Sequence, residues 1–277
     1  MTIAAALRYG AAELGDMREA RLLMAGAIGC DVGRLTLMAH DALPDDIHAR
    51  FRDHVARRIN GEPVSHILGQ RAFWGRMFRV TPDVLDPRPE TETLIAAALE
   101  VPFNSVLDLG TGSGCIAITL LAERPQVTGM AVDLSAAALA IASTNAERHD
   151  VTDRLCLETS DWFSAVTGTH DLIVSNPPYI PADDLPDLMP EVRDHEPTMA
   201  LTDGADGLTP YRVILSQASD YLSDGGVVMA EFGAGQWPDI QEIAMAAGWG
   251  DVTCKTDLDG RPRVLVAQNP QKRPIRA

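Results

Sequence analysis

The tetrapeptide Asn176-Pro177-Pro178-Tyr179 combines three residue types suited to holding a planar nitrogen. Two consecutive prolines remove two backbone donors and fix φ at both positions, leaving a rigid turn with outward carbonyls. Asn176 adds a side-chain carbonyl, so the turn offers a fixed pair of acceptors to an –NH2 group. Tyr179 supplies a flat surface against which the plane of that group can rest. An amide or exocyclic amine nitrogen is a poor nucleophile because its lone pair is delocalised into the adjoining π system. Acceptors on its two N–H bonds orient it and strengthen as positive charge develops on nitrogen during alkylation, which stabilises the transition state over the ground state. Holding the reacting atoms about 3–3.5 Å apart supplies much of the remaining acceleration. The alkylated nitrogen is acidic and can lose its proton to solvent, so no strong general base is required.

A second constellation lies upstream. The run Val106-Leu107-Asp108-Leu109 stops at Gly110-Thr111-Gly112-Ser113-Gly114, and a helical pattern begins immediately after it. Glycine at such a place lets the backbone turn sharply and lets a ligand approach it closely. The next strand pattern, Val127–Val132, ends at Asp133. In a doubly wound sheet that end lies beside the first strand's end, where a carboxylate accepts hydrogen bonds from both hydroxyls of a ribose. A plain βα turn would account for the glycines alone; glycines together with the acid favour a nucleoside site. The spacing is Gly-x-Gly-x-Gly rather than the Gly-x-Gly-x-x-Gly of a pyrophosphate cradle, and Cys115, Ile116 and Ala117 follow with no basic residue nearby. Asp108 would repel phosphate but can receive the ammonium of an amino-acid moiety, directly or through water. These features favour S-adenosylmethionine, which carries a sulfonium and an amino-acid end but no phosphate. Ser160-Asp161-Trp162 adds to the case: Trp162 can lie against an adenine while Asp161 accepts from its amino group, with simple core packing as the alternative for Trp162.

The elements that must carry these residues follow from hydrophobic periodicity. Residues 2–60 read as helical, with Ile3, Leu7, Leu14, Leu22, Leu23 and Ile28 near helical spacing and breaks at Gly15, Gly29 and Pro44. Within Asp45–Ile59, Ile47, Phe51, Val55 and Ile59 recur every four residues among Arg50, Arg52, Arg57 and Arg58, predicting an amphipathic helix with a basic outer face. Residues 72–85 alternate aromatic and β-branched residues with Gly and Arg, suggesting a hairpin or linker. Pro89 can begin a helix capped by Asp86 or Thr91, with Glu90 and Glu92 in its first turn. From residue 105 strands alternate with helices: strands 105–109, 127–132, 154–158, 170–175, 226–231, 251–256 and 262–267, helices 114–123, 135–148, 208–222 and 236–247. Helix-length crossovers imply a mostly parallel sheet covered on both faces, with the last two strands antiparallel across the short turn Asp257–Arg261.

The charge is unevenly spread. The formal total is −16, yet residues 1–85 hold eleven Arg against ten acids, and residues 86–277 hold twelve basic against 29 acidic residues. A body at −17 repels phosphate backbones, which argues against an adenine-N6 or guanine-N2 nucleic-acid methyltransferase using the same turn. With 46% apolar and 22% charged residues the chain is neither disordered nor fibrous. Cys30, Cys115, Cys156 and Cys254 form no Cys-x-x-Cys pair, and the histidines, His48 and His54 included, lack metal spacing; reduced thiols, no metal and a cytoplasmic location are expected. The apolar run Ile3–Leu7 is too short for a signal peptide and no run approaches a membrane span, so no membrane association is expected.

Longer motifs carry a resemblance. Arg58-Ile59-Asn60-Gly61-Glu62-Pro63, Ile67-Leu68-Gly69, Phe73-Trp74-Gly75, Phe78-Arg79-Val80 and Val84-Leu85-Asp86-Pro87-Arg88-Pro89-Glu90-Thr91-Glu92 look like the linker of the peptide chain release factor glutamine methyltransferases. Glu196-Pro197, Ala200-Leu201 and Asp206-Gly207-Leu208 also resemble that family, over roughly residues 55 to 267; Asp86 departs from it, standing where an apolar residue usually precedes the Pro-Arg-Pro-Glu-Thr-Glu run. The resemblance implies an α/β fold: a Rossmann-like class I methyltransferase sheet, mostly parallel with the last strand antiparallel, preceded by a small helical N-terminal domain and a β-hairpin linker. With it the expected domains are a helical domain over 1–70, which the Arg-rich helix 45–59 and the charge division suggest docks the substrate, a hairpin linker over 71–88, a methyltransferase domain over 89–267 and, from composition, a basic tail over 268–277. The resemblance further implies methyl transfer from S-adenosylmethionine to the glutamine side chain of the Gly-Gly-Gln motif of release factors. Gly110, Thr111, Gly112, Ser113, Gly114, Asp133, Trp162 and Asn176 would contact the cofactor, and Asn176, Pro177, Pro178 and Tyr179 would hold the substrate amide.

Overall fold

Thr2 and Asp16 start the first two helices by accepting hydrogen bonds from backbone N–H groups of the first turn, and both helices end at a glycine, Gly15 and Gly29. The structure, a computed structural model, describes residues 1–269. The basic tail expected from 268 therefore lies outside the described residues beyond Asn269. In chain order the first elements are α1 (Ile3–Leu14), α2 (Met17–Ile28), α3 (Asp45–Ile59), α4 (Val64–Leu68), β1 (Gln70–Phe73), β2 (Arg76–Arg79) and α5 (Glu92–Leu99). Next come β3 (Ser105–Leu109), α6 (Cys115–Glu123), β4 (Thr128–Asp133), α7 (Ala136–Arg148), β5 (Leu155–Thr159) and β6 (His170–Ser175). Then follow α8 (Pro190–Arg193), α9 (Thr198–Leu201), α10 (Thr209–Tyr221), β7 (Leu222–Glu231), α11 (Trp237–Ala246), β8 (Asp251–Thr256) and β9 (Pro262–Gln268).

The described residues separate into two compact units: Met1–Gln70 with Met189–His195, and Arg71–Leu188 with the described residues from Glu196 onward. In the first, α1 to α4 close around Ile3, Leu23, Met24, Leu35, Phe51 and Val55. The helical periodicity of these residues is what buries them together. The basic face expected on α3 is largely paired within this unit. Arg57 Nε donates to Glu62 at 2.7 Å, Arg58 makes ion pairs with Glu19 and Glu191, and Arg50 donates to the carbonyl of Ala27. The segment Met189–His195 joins this unit although nothing in its sequence pattern marks it.

In the second unit, β1 and β2 form a hairpin, and seven strands form one sheet in the order β5-β4-β3-β6-β7-β9-β8. All neighbours pair parallel except β9, which runs antiparallel to both β7 and β8. Alternate residues of each strand feed opposite layers, as the pleat requires. Val106, Leu172, Val174, Met229 and Val264 pack on one face with Ile95, Ile116 and Leu120. Leu107, Leu109, Ile173, Val228 and Leu265 pack on the other with Tyr211, Ile214 and Ile240.

Two local expectations change. β7 begins at Leu222 rather than 226, because Leu222 pairs with His170 and an irregularity before Leu172 absorbs the Asp224-Gly225-Gly226 stretch. At the start of α5 neither Asp86 nor Thr91 caps by its side chain; Pro89–Thr91 forms a 3-10 turn first, and the Thr91 hydroxyl is engaged elsewhere.

Candidate active site

The strand order places the carboxyl end of β3 between those of β4 and β6, the point from which the chain winds outward in both directions. Open α/β sheets bind ligands in the crevice at such a point. Here a cavity of about 350 Å³ opens, lined by Gly110, Thr111, Gly112 and Ser113 after β3, Asp133 at the end of β4, Ser160-Asp161-Trp162 after β5, and Asn176 and Pro178 after β6. Four turns distant in sequence thus meet in one cavity.

The glycine-rich turn owes its shape to backbone conformation. Gly110, Gly112 and Gly114 all have positive φ, at 71°, 56° and 80°. A Cβ on Gly110 or Gly112 would meet nothing within 4 Å, so these two residues leave space for an occupant, whereas one on Gly114 would lie 2.7 Å from Ile118 Cδ1. Gly114 is accordingly a packing residue at the start of α6 and does not line the cavity. Asp108 lies beneath the turn, fully buried, accepting from the Thr111 hydroxyl at 2.7 Å and the Ala117 N–H at 3.3 Å. Burial pushes its carboxyl up to about 7 against those two hydrogen bonds. Burial likewise pushes the Cys115 thiol up to about 12, so it stays protonated and inert. Asn145, also fully buried, clamps the turn by donating to the Ser113 carbonyl at 2.8 Å, and it exchanges hydrogen bonds with Arg79 of β2. No sequence pattern singled it out.

Asp133 holds its rim position with both oxygens. Oδ2 accepts from Gly112 N–H and Oδ1 from Ser135 N–H, each at 2.8 Å, leaving one further lone pair on each. Trp162 adopts φ 48°, and its ring is partly buried against the second layer. At the Asn-Pro-Pro-Tyr turn the four residues separate. Asn176 and Pro178 face the cavity and Pro177 is buried. Tyr179 does not line the cavity; its hydroxyl donates to Glu231 Oε1 at 3.3 Å, and its ring packs against the second layer. Asn176 donates through Nδ2 to Thr91 Oγ1 at 3.1 Å.

The remaining wall came from outside the motifs singled out for chemistry. Asp83 to Arg88 and Thr91 from the linker, and Pro197, Met199, Ala200, Thr202 and Asp203 from the segment around α9, contribute to it. Arg88 Nη2 lies 2.6 and 2.7 Å from the two oxygens of Glu196, whose side chain is only 2% exposed. Asp86, unusual in its motif, is buried and presents its N–H to the same Glu196 carboxylate. The lining thus includes five aspartates, Asp83, Asp86, Asp133, Asp161 and Asp203, against a single arginine already paired. Such a cavity disfavours phosphate and suits a cationic occupant with hydroxyl and amino groups to donate. Among the described residues no group of three His, Cys, Asp or Glu side chains is placed to hold a metal ion, and no helix is long and apolar enough to cross a membrane.

A mostly parallel sheet with β9 inserted antiparallel, and with these turns gathered at its carboxyl edge, defines a class I methyltransferase fold. A crystal structure of a methyltransferase from Pyrococcus furiosus shares that fold with a TM-score of 0.56 at 18% identity, covering 79% of this chain and 98% of its own. Residues 5–69 match the family model described as PrmC N-terminal domain, and residues 86–187 match Methyltransferase small domain. The release factor glutamine methyltransferase of Cereibacter sphaeroides is 52% identical over 268 residues, 96% of each chain. That of Rhodospirillum rubrum is 42% identical over 263 residues, 93% of this chain and 80% of its own. The chain belongs to the family of release factor glutamine methyltransferases.

Proposed function

We propose that this protein transfers a methyl group from S-adenosylmethionine to the side-chain amide nitrogen of the glutamine in the Gly-Gly-Gln motif of translation release factors, in the cytoplasm. The observation that carries the reading is the position of Asn176, held by a hydrogen bond at the wall of an acid-lined cavity next to the glycine-rich turn. Membership of the family supplies the glutamine; the geometry alone supports only a planar amine.

The residues present fit the cofactor. Gly110 and Gly112 leave their Cβ positions open, Asp133 keeps a free lone pair on each oxygen for ribose hydroxyls, and the aspartates outnumber the one paired arginine. Bound there, S-adenosylmethionine supplies an electrophilic methyl group on a cationic sulfur. Gly110 to Ser113 and Asp133 hold it, with Asp161 and Trp162 at its base. Asn176 Oδ1 and the turn's carbonyls accept from the two N–H bonds of the substrate amide, orient its nitrogen and strengthen as that nitrogen becomes positive. Pro177, buried behind them, keeps the acceptors from swinging away. Tyr179 acts through its hydrogen bond to Glu231 rather than as an open stacking face. The helical domain over 1–70, near-neutral with eight basic against nine acidic residues, docks the protein substrate.

The test is transfer of labelled methyl to purified release factor, to its Gln→Ala variant and to duplex DNA. Label in the wild-type factor alone is expected. Label in DNA but not in the factor would overturn the reading in favour of a nucleic-acid methyltransferase.

A further inference from the structure

Pro177 and Pro178 have a fixed φ but no main-chain donor, so the Asn-Pro-Pro-Tyr turn cannot be tied down by N–H groups of its own at those positions. It is tied down just beyond them, and largely by one loop. Ile180 N–H donates to the Leu201 carbonyl and Ala182 N–H to the Ala205 carbonyl, each at 2.9 Å. Gln236 donates to the Tyr179 carbonyl, against which Gly207 packs. Leu201, Ala205 and Gly207 thus set where the turn can end.

Asp203 binds that loop together. Its Oδ1 accepts from Ala205 N–H at 2.9 Å and from Gly207 N–H at 3.0 Å, and its Oδ2 accepts from Thr209 N–H at 3.0 Å. Thr209 is the first residue of α10, whose N-cap position is taken by Leu208, a side chain with no acceptor to offer. Asp203 supplies the missing acceptor from outside the helix, at the end where a carboxylate is favoured. The helix itself is seated on the sheet: Tyr211, Ile214, Leu215 and Ala218 are buried, and the Tyr211 hydroxyl donates to the Glu231 carbonyl at 2.7 Å. One carboxylate therefore joins a fixed helix to Ala205 and Gly207, the two loop residues that meet the turn.

We propose that Asp203 is a positioning residue for methyl transfer: by fastening the loop to α10 it holds the end of the Asn-Pro-Pro-Tyr turn, and through that turn the acceptors that orient the substrate nitrogen. The assignment rests on the function proposed above. Asp203 also lines the cavity, so its charge acts on an occupant independently of its hydrogen bonds. Substitution separates the two contributions. Asparagine loses the charge and the acceptor for Thr209 but keeps Oδ1 for Ala205 and Gly207, whereas alanine loses the charge and every acceptor.

The test compares Asp203→Asn, Asp203→Ser and Asp203→Ala with the wild type on purified release factor, measuring kcat, KM and calorimetric affinity for S-adenosylmethionine. Asp203→Ala is expected to lower kcat about 10- to 100-fold, the scale of a small displacement at a reacting group, while KM for the factor changes little. Asp203→Asn should keep kcat within about fivefold of wild type, the scale of one lost hydrogen bond. Asp203→Ser, with a single short acceptor, should fall between them. Cofactor affinity should fall equally in the Asn and Ala variants, because both remove the same charge. In a Gly207→Ala background, where the turn is already displaced, Asp203→Ala should cost less than it does alone. A kcat within about twofold of wild type for Asp203→Ala, equal kcat losses in the Asn and Ala variants, or full additivity with Gly207→Ala overturns the proposal. Should Asp203→Ala fail to fold, the order of kcat in wild type, Asn and Ser decides in its place: a fall along that series supports the proposal, and equal values overturn it. If the wild type instead methylates a nucleobase amine, the glutamine reading fails, and the Asn–Ala comparison on that acceptor still decides the role of Asp203.

Discussion

Gly207 lies so close to the main chain of Tyr179 that a Cβ on it would stand 2.2 Å from the Tyr179 carbonyl oxygen and 2.8 Å from its carbon. Gln236 tightens the same contact, donating from Nε2 to the Tyr179 carbonyl at 2.9 Å while its Oε1 accepts from Gly233 N–H. The loop before α10 therefore sets where the last residue of the Asn-Pro-Pro-Tyr turn can sit, and any side chain at 207 must displace that turn. Gly207 also has φ 73°, which an alanine adopts only with strain.

Gly207→Ala should thus damage transfer more than cofactor binding. A shift of about 1 Å at a reacting group costs up to about 100-fold in rate. Steady-state kinetics should show kcat lowered by about 10- to 100-fold, while calorimetric affinity for S-adenosylmethionine changes little. An unchanged kcat would mean that the turn tolerates displacement at Tyr179.

Asp133→Ala should weaken cofactor binding by about 1–3 kcal/mol, the cost of leaving buried hydroxyl partners unmatched. The change also strips the Gly112 and Ser135 N–H groups of their acceptor, so the glycine-rich turn loosens along with it. Isothermal titration supplies the check; an unaltered dissociation constant would take Asp133 out of the ribose site.

Stability should carry a pH signature from Asp108. Burial raises its carboxyl from an ordinary 3.8 to about 7, so between those values the folded chain holds a proton that the unfolded chain has lost. Its contribution is full below about pH 4 and declines as pH rises through about 7. Glu231, raised by burial from 4.5 to about 7, acts in the same sense. Exposed acids such as Asp206, held down to about 2 by Arg212, act oppositely at lower pH, so the informative quantity is a difference. Urea midpoints at pH 5 and pH 8 should lie closer together in Asp108→Asn than in the wild type. An equal gap in both proteins would contradict the assignment.

Arg88→Met should destabilise the fold by about 3–5 kcal/mol, because it strands the Glu196 carboxylate with its side chain 2% exposed. Burial already raises the Glu196 carboxyl, and Arg88 opposes that rise. Removing the arginine raises it further, so the folded state takes up a proton and the penalty grows with pH. Denaturation of Arg88→Met should accordingly be worse at pH 8 than at pH 5.5, with Arg88→Met/Glu196→Gln recovering part of the loss. A penalty independent of pH would show that the pair is not what Arg88 contributes.

Much of the fold was legible in one dimension. Strand and helix boundaries after residue 105 fell within a few residues of the pattern, because period-2 and helical spacings depend on which side of an element meets the core. The glycine-rich turn, Asp133 and the rigid prolines were equally visible, since their chemistry is local: positive φ, a strand-end acid and two missing donors are properties of the residues themselves. The pairing of Arg58 with Glu19 and Glu191, the early start of β7 and the failure of Thr91 to cap α5 were not visible, because each depends on a partner far along the chain.

By itself, then, the sequence determined the glycine-rich and Asn-Pro-Pro-Tyr turns and the layered sheet that carries them. Only the tertiary structure decided that Gly114 packs inward, that Tyr179 turns its hydroxyl to Glu231, and that Asn145 and Gly207 brace the two turns. It also decided that the Thr91 hydroxyl accepts from the Asn176 carboxamide. The reason is physical: hydrogen-bond direction and close packing are set by whichever groups the folded chain brings within about 3 Å, and sequence spacing does not encode that distance.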